Sequence, residues 1–452
     1  MWRLLWEENK KYRKIEIYKD RKFSEVRAFF FYIYIFLYLY ISILFCDIIN
    51  KLSLFIMKIK DISQVKEWRG VLVLVRVDFN VPLLKNKVRD DFKIKACLPL
   101  LMKLVKAGAR VVVISHLADP KLTKSGRVTA LDQKQCSLAP VASRLKQISK
   151  LKVKFSKQAI GSKALAADLD KLKSGELMLL ENLRFYAGET ANAKSFARDL
   201  AGLAEIYINN AFAVSHREHA SVAMIKKYVA SYAGPLLIAE VENLQKILKP
   251  KRPLVAIIGG SKIDSKVALV KMLTKKADKV IIGGALANNF LAAAGYQIGK
   301  SLVSASGIKL AKKLMKKNVV LPIDVVVQNQ KTKAVTMKKV SLVGPNEMIL
   351  DIGTETMKEI GLVIKKAETM MWNGPMGKFE EASFRFGTFF VARAVASRAS
   401  GKAFAVVGGG ETVEALNLSG SYEQIDWVST GGGASLAFLA GEKMPGLKGL
   451  IK

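Results

Sequence analysis

Cysteine and histidine each occur only three times in 452 residues, and acidic residues are scarce, 38 against 73 lysines and arginines. Cys46, Cys97 and Cys136 are odd in number, widely spaced and without C-x-x-C or Cys/His ligand spacing. That pattern argues against a disulfide framework or a zinc site and for a reducing compartment. The shortage of acid leaves a formal net charge of +35, a balance that favours contact with polyanions, whether nucleic acid, anionic membrane or phosphorylated metabolites. The lysines are nevertheless scattered along helical stretches such as Lys309 to Lys317, as on a solvated basic surface, and no recognisable nucleic-acid module accompanies them. After Met57 there is no short-period repeat and no low-complexity linker. Half of the residues are apolar, enough for more than one core, and above about 300 residues two domains are the expectation.

Residues 1–56 stand apart. Ala28 to Cys46 is a run of nineteen residues without a charge, long enough to span a bilayer, and many basic residues precede it. The positive-inside rule would put everything after the run outside the cytoplasm. Its Phe, Tyr, Ile, Leu, Lys and Asn content is also how AT-rich non-coding DNA translates. The segment is read as a mis-called start, with the protein beginning near Met57; the alternative is a membrane anchor or targeting extension.

From there, short β-branched runs alternate with helical stretches. Val71 to Val75, Arg110 to Ile114, Leu177 to Leu180 and Ile206 to Ile208 form one series. Leu254 to Ile258, Lys279 to Ile282, Ile323 to Val327, Met370 to Trp372 and Phe404 to Val407 form a second. Helical segments are expected near Ala96 to Lys106 and Leu138 to Ile148. Continuous apolar strands separated by helices imply parallel sheets covered on both faces. The expected fold is α/β, two doubly wound parallel-sheet domains joined by a helical hinge: 57–234, an interdomain helix within 235–250, and 251–452, whose last residues return to the first domain.

In such folds ligands sit beyond the carboxyl ends of the strands, and most of the distinctive residues fall there. The second series carries four glycine turns, Gly259-Gly260-Ser261-Lys262, Gly283-Gly284, Gly408-Gly409-Gly410-Glu411-Thr412 and Gly431-Gly432-Gly433-Ala434-Ser435. A glycine turn between a strand and a helix presents backbone N–H groups to phosphate or admits a closely approaching chain. The first series carries Asp78-Phe79-Asn80, Ser115-His116, Arg184 and His216-Arg217-Glu218-His219, side chains suited to a small, highly charged acid. All three histidines lie in these segments, which favours an anion site. Two unlike anion-binding halves suggest an enzyme bringing a nucleotide to a second anionic substrate. Gly295 to Ser301 is one residue short of a phosphate loop and follows a helical stretch, Leu286 to Ala294, so it is read as a helix-ending turn.

The ordered set RVDFNVP, SHL, LLENLRF, AFAVSHREH, GGSKIDSK, IIGG, MWNGPMGKFE, VVGGGET and STGGGASL closely resembles the phosphoglycerate kinase family, from about Met57 to the C-terminus. The resemblance implies reversible phosphoryl transfer between ATP and 3-phosphoglycerate, magnesium with the ATP or ADP, closure of a cleft by hinge bending, a monomer and a cytoplasmic setting. No specific nucleic-acid partner is indicated, and a membrane partner only if the extension is real. By position, Asp78, Phe79 and Asn80 would lie at the glycerate end, and His116, Arg184 and Arg217 would face its phosphate. Lys262 and Lys266 would neutralise nucleotide phosphates, Glu380 would take the ribose hydroxyls, and Asn373 and Pro375 would lie beside the nucleotide, with Gly259, Gly283 and Gly284 in the same site. Gly409, Gly410, Glu411 and Thr412 would place the phosphates, Glu411 holding the magnesium. Gly431, Gly432 and Gly433 would open a helix toward the moving phosphoryl group.

Several positions depart from the family pattern. Lys93 stands where the family has a catalytic arginine; it keeps the charge and loses the fork, so it is expected to be a weaker substitute, with Lys95 near enough to help. Ala118-Asp119 replaces Gly-Arg in the substrate half and sets a carboxylate where an arginine would meet the phosphate, which should lower affinity for 3-phosphoglycerate. Asn210, Ser265 and Glu411 each replace an aspartate. These changes keep two other readings open: a catalytically weak or silent nucleotide-binding homologue, and an acyl-phosphate kinase for another carboxylic acid.

Overall fold

The computed structural model describes residues 59–123, 128–261 and 266–451. The apolar run Ala28 to Cys46 lies outside them, as do Lys262 and Ser265. Among the described residues no helix is long and apolar enough to cross a membrane.

The first half is built on β1 (Leu72–Arg76), β4 (Arg110–Ile114), β5 (Val153–Ser156), β6 (Leu177–Leu180), β7 (Ile206–Asn209) and β8 (Ala230–Ala233), with a small hairpin of β2 (Leu83–Leu84) and β3 (Lys87–Val88) inserted after β1. The six strands pair in parallel in the order β5-β6-β4-β1-β7-β8. The runs are continuously apolar because alternate residues serve different cores. Val73, Val75, Val111 and Val113 pack with Leu100, Leu104 and Leu145 from the helices Phe92–Lys106 and Ala139–Ser149. Leu74, Val112, Met178 and Tyr207 pack on the other face with Leu165 and Leu200 from Lys163–Asp170 and Lys194–Ala201. Each fully buried side chain of this size contributes about 1.5–3 kcal/mol. The first helix begins at Phe92, four residues before the expected Ala96, because the Asp90 carboxylate accepts the Phe92 N–H (2.9 Å). Lys93 is thereby in its first turn.

The second half carries β9 (Leu254–Ile258), β10 (Lys279–Ile282), β11 (Val319–Val320), β15 (Thr369–Asn373), β16 (Phe404–Gly408) and β17 (Trp427–Ser429), parallel in the order β11-β10-β9-β15-β16-β17. The run Ile323 to Val327 is not one of these strands. It belongs to β12 (Asp324–Asn329), the centre of a separate antiparallel sheet with β13 (Val335–Lys339) and β14 (Glu347–Ile352). Val325 and Val327 are fully buried while Val326 is only partly so, the alternation of a strand with one covered face. Asp324 then caps the helix Thr354–Lys365, accepting from the N–H groups of Glu355 (3.0 Å) and Thr356 (2.7 Å).

The helix Pro235–Leu248 connects β8 to β9. Its Glu240 is fully buried and accepts from Trp427 Nε1 (3.0 Å), Ser429 Oγ (2.8 Å), and Thr430 N (2.6 Å) and Oγ1 (2.7 Å). At the other end of the chain the helix Gly433–Ala440 stops at Gly441 (φ 77°), and the polypeptide returns to the first half. There the Gly446 N–H donates to Ser215 O (2.8 Å), Lys60 N–H donates to Leu450 O (2.8 Å), and Lys226 Nζ donates to the carbonyls of Pro445 (2.7 Å) and Lys448 (2.8 Å).

Candidate active site

Four adjacent strands, β6, β4, β1 and β7, deliver the polar residues of the first half from their carboxyl ends. Asp78 is the second residue after β1, and its carboxylate accepts from Lys93 Nζ (2.7 Å) and the Asn80 N–H (3.1 Å). Burial alone would raise its carboxyl; Lys93, with the Asn80 amide, outweighs that and holds it below the usual range. The Phe79 N–H donates to Ser115 Oγ (2.8 Å), but its ring is fully buried in the core, so it supports the turn by packing and not by contact with a ligand. Asn80 Oδ1 accepts the Ala118 N–H (2.9 Å), joining the turns after β1 and β4.

Behind this turn lies a cluster of cations that exceeds its carboxylates. Arg76 is fully buried at the end of β1, donates to Ser221 Oγ (3.1 Å) and lies 3.3 Å from His116 Nδ1. Burial and then Arg76 push His116 well below its ordinary value, so it is neutral, with Nδ1 facing the guanidinium. Burial, Arg184 and Arg217 lower His219 to about 3. Glu189, also fully buried, accepts from Ser221 N (2.9 Å) and Oγ (2.6 Å) and lies 4.0 Å from His219 Nδ1. Arg184, from the short turn after β6, donates through Nη1 to Asp119, while among the described residues its Nε and Nη2 are buried without a partner, as are Nδ1 of His216 and of His219. Buried donors of a guanidinium are rarely left unpaired, and several together mark a place for an anion. Asp119 takes the very arginine expected to face the substrate phosphate.

The second half presents a cavity of about 250 Å³ at the point where its strand order reverses, between β9 and β15. Leu291, Val325 and Ile349 give it apolar walls; Gly260, Gly284 and Pro375 line it at the strand ends, and the exposed Glu380 and Glu411 supply carboxylates. The glycine pairs after β9 and β10 do not offer free N–H groups. Those of Gly259, Gly260, Gly283 and Gly284 donate to Asn373, Pro375, Ile258 and Met376 carbonyls at 2.8–2.9 Å. Their value is close approach: Gly284 has φ 58°, and a Cβ there would lie 2.6 Å from Gly260 N. Lys266 Nζ donates to Gly259 O (2.5 Å); burial lowers its ammonium to about 8, with the Glu411 charge opposing. Asn373 Nδ2 donates to Gly408 O (2.8 Å), and Thr412 Oγ1 accepts the Gly374 N–H (2.7 Å), so both fasten β15 to β16.

The other two glycine turns are different. Gly410 and Gly433 begin the helices Gly410–Leu418 and Gly433–Ala440, and the first N–H groups of a helix have no partner in their own helix. Gly431 is fixed by Ser429 Oγ (3.1 Å), and Gly432 adopts φ 50°. These turns face the first half across a cavity of about 710 Å³ lined by Asn80, Lys93 and Arg144 on one side and Gly409, Gly410 and Gly432 on the other. Arg89 and Glu414, both exposed, pair across it at 3.2 Å.

Glu189, Glu240 and Asp351 escape a reading of motifs, and Arg76, which opens the motif RVDFNVP, is given no role by it. Asp351 lines the cavity of the second half, accepts from the Gly387 and Ile352 N–H groups (both 2.9 Å), and is pushed by burial to about 7. The available signal is a charged residue inside or at the end of an apolar strand or helix, where only a partnered group is tolerated.

A family model described as phosphoglycerate kinase matches residues 60–442. The chain belongs to the phosphoglycerate kinase family. The phosphoglycerate kinase of Borrelia garinii is 41% identical over 405 residues, covering 88% of this chain and 100% of that protein. That of Chlorobium chlorochromatii is 43% identical over 405 residues, covering 87% and 100%. The solved phosphoglycerate kinase of Coxiella burnetii superposes with a TM-score of 0.72 at 36% identity, covering 86% of this chain and 98% of that one. That of Pyrococcus horikoshii gives 0.76 at 28% identity, with the same coverage. Lys95 lines the same cleft as Lys93, and its ammonium pairs with Asp91 (2.9 Å), which Arg144 also holds.

Proposed function

We propose that the chain catalyses the family's reaction, reversible transfer of the terminal phosphoryl group of ATP to the carboxylate of 3-phosphoglycerate, giving ADP and 1,3-bisphosphoglycerate. The observation that carries this reading is the single cleft onto which both glycine-opened helices and the Asn80–Lys93 edge of the cationic half open. Asp78 and Asn80 orient the glycerate end, and His116, Arg184 and Arg217 take its phosphate. The nucleotide lies in the cavity of Gly260, Pro375 and Glu380, with Lys266 against its phosphates. The N-termini at Gly410 and Gly433 point partial positive charge toward the phosphoryl group.

The acid's carboxylate oxygen attacks the γ-phosphorus, the bridging P–O bond to the β-phosphate breaks, and ADP leaves. No proton has to be removed, so no general base is required. What the protein supplies is alignment, exclusion of water and positive charge around a loose transition state. Lys93 supplies that charge as a point rather than a fork. Among the described residues no group of three or more metal-ligand side chains gathers, which fits magnesium held by one or two carboxylates and the nucleotide's own phosphates. Glu411, exposed in the first turn of its helix, is the carboxylate in position. Magnesium would neutralise phosphate charge there. A monomer in the cytoplasm goes with this reading.

The test is a coupled assay of ADP release by the full chain with magnesium and ATP, with and without 3-phosphoglycerate. ADP release that depends on the acid supports the proposal. ATP binding without acid-dependent turnover overturns it in favour of a silent nucleotide-binding homologue.

A further inference from the structure

We infer that Asp119 is an internal competitor for the acid's phosphate and thereby sets the affinity of the acid site; this rests on the reading of that site given above. The Asp119 carboxylate accepts from Arg184 Nη1, with the arginine side chain 7% exposed and the aspartate 71%. The pair is held by built structure on both sides. Asn182 accepts the N–H groups of Leu117 (3.2 Å) and Arg184 (2.9 Å) through one oxygen, and its Nδ2 donates to Leu117 O (2.7 Å), so one buried amide fastens both segments. Ala118, between them, has φ 54°, a conformation that favours glycine, and its N–H is fixed by Asn80. The carboxylate is therefore aimed at the guanidinium by its own turn.

Among the described residues, Nε and Nη2 of Arg184 stay buried and unpaired. A phosphate can take that edge, but only with the Asp119 carboxylate already on the same guanidinium. Two anions a few ångströms apart repel, so the phosphate either binds weakly beside Asp119 or drives it into solvent. Because Asp119 is largely exposed, it can leave and remain hydrated, and it weakens phosphate binding without abolishing it. An acid without a phosphate meets no such opposition, so the residue narrows the advantage of phosphorylated over unphosphorylated acids.

Asp119→Asn keeps the shape and removes the charge. Its KM for 3-phosphoglycerate is expected to fall roughly 3- to 30-fold, by more than any change in kcat, with KM for ATP unmoved. Calorimetric titration with inorganic phosphate should show its Kd falling by a similar factor, and this needs no turnover. An unchanged phosphate Kd in both Asp119→Asn and Asp119→Ala overturns the inference, as does an effect confined to kcat. Tighter phosphate binding in a chain that never turns over 3-phosphoglycerate would support the competitor while removing the proposed reaction.

Discussion

Lys93 reaches Asp78 at 2.7 Å from the first turn of its helix, at the edge of the cleft and opposite the glycine turns. A lysine so placed gives Asp78 one of its three N–H donors and offers the others without the fixed fork of a guanidinium. An arginine on the same stem can hold Asp78 with one N–H and present another to the transferring group. Lys93→Arg is therefore expected to raise kcat at least roughly tenfold, where a transition-state arginine can contribute ~10³ to 10⁵, with a smaller change in KM. Steady-state kinetics with both substrates checks this, and an unchanged kcat would remove the role given to this position. At this scale motifs located the polar residues well, since Asp78, His116, Arg184 and Arg217 follow their strands. They could not give partners. That Asp119 meets Arg184 depends on two segments 65 residues apart, and that the Gly259 and Gly283 turns spend their N–H groups internally depends on where the Pro375 and Met376 carbonyls pass.

Among the elements, the connecting helix Pro235–Leu248 matters most through Glu240, whose two oxygens take four donors from Trp427, Ser429 and Thr430. Thr430 is followed directly by the Gly431 turn, so the carboxylate ties the helix between the halves to the turn that faces the cleft. Burial pushes the Glu240 carboxyl up, against those same bonds. Glu240→Ala strands four donors and should cost about 3–5 kcal/mol, read as a lower midpoint in urea unfolding; a loss below about 1 kcal/mol would mean the network is dispensable. The helix itself was legible from its apolar spacing and the Pro at its start. The carboxylate inside it was not, because a glutamate in an amphipathic pattern normally faces water. β12 was misassigned for a similar reason. Ile323 to Val327 reads as an apolar run broken only by Asp324, and only the antiparallel partners β13 and β14 make it a strand with one covered face.

For the whole molecule, the decisive fact is that the carboxyl ends of two separate sheets share one cleft, bridged in this state by the exposed Arg89–Glu414 pair. An exposed pair of this kind is worth about 0–1 kcal/mol, too little by itself to fix the separation of the halves; beside it the Phe92 and Tyr422 rings meet edge-on. On the proposed function the acid and the nucleotide, each held by its own half, would draw the halves together. Small-angle scattering should therefore record a smaller radius of gyration with ADP, magnesium and 3-phosphoglycerate together than with either substrate alone. Equal values in all three conditions would argue against closure. The two-sheet plan was legible because a restarted alternation of strands and helices has few other solutions.

The polypeptide passes between the halves twice, outward along Pro235–Leu248 and back through Gly441 to Gly446, where Ser215 and Lys226 receive it. A plate fastened at one point can swivel in any direction; fastened at two, it can only swing about the line joining them. The return leg thus does for this molecule what a second pin does for a door: it restricts how one half can swing against the other, and the closure expected on the proposed function would carry Gly432 toward Lys93.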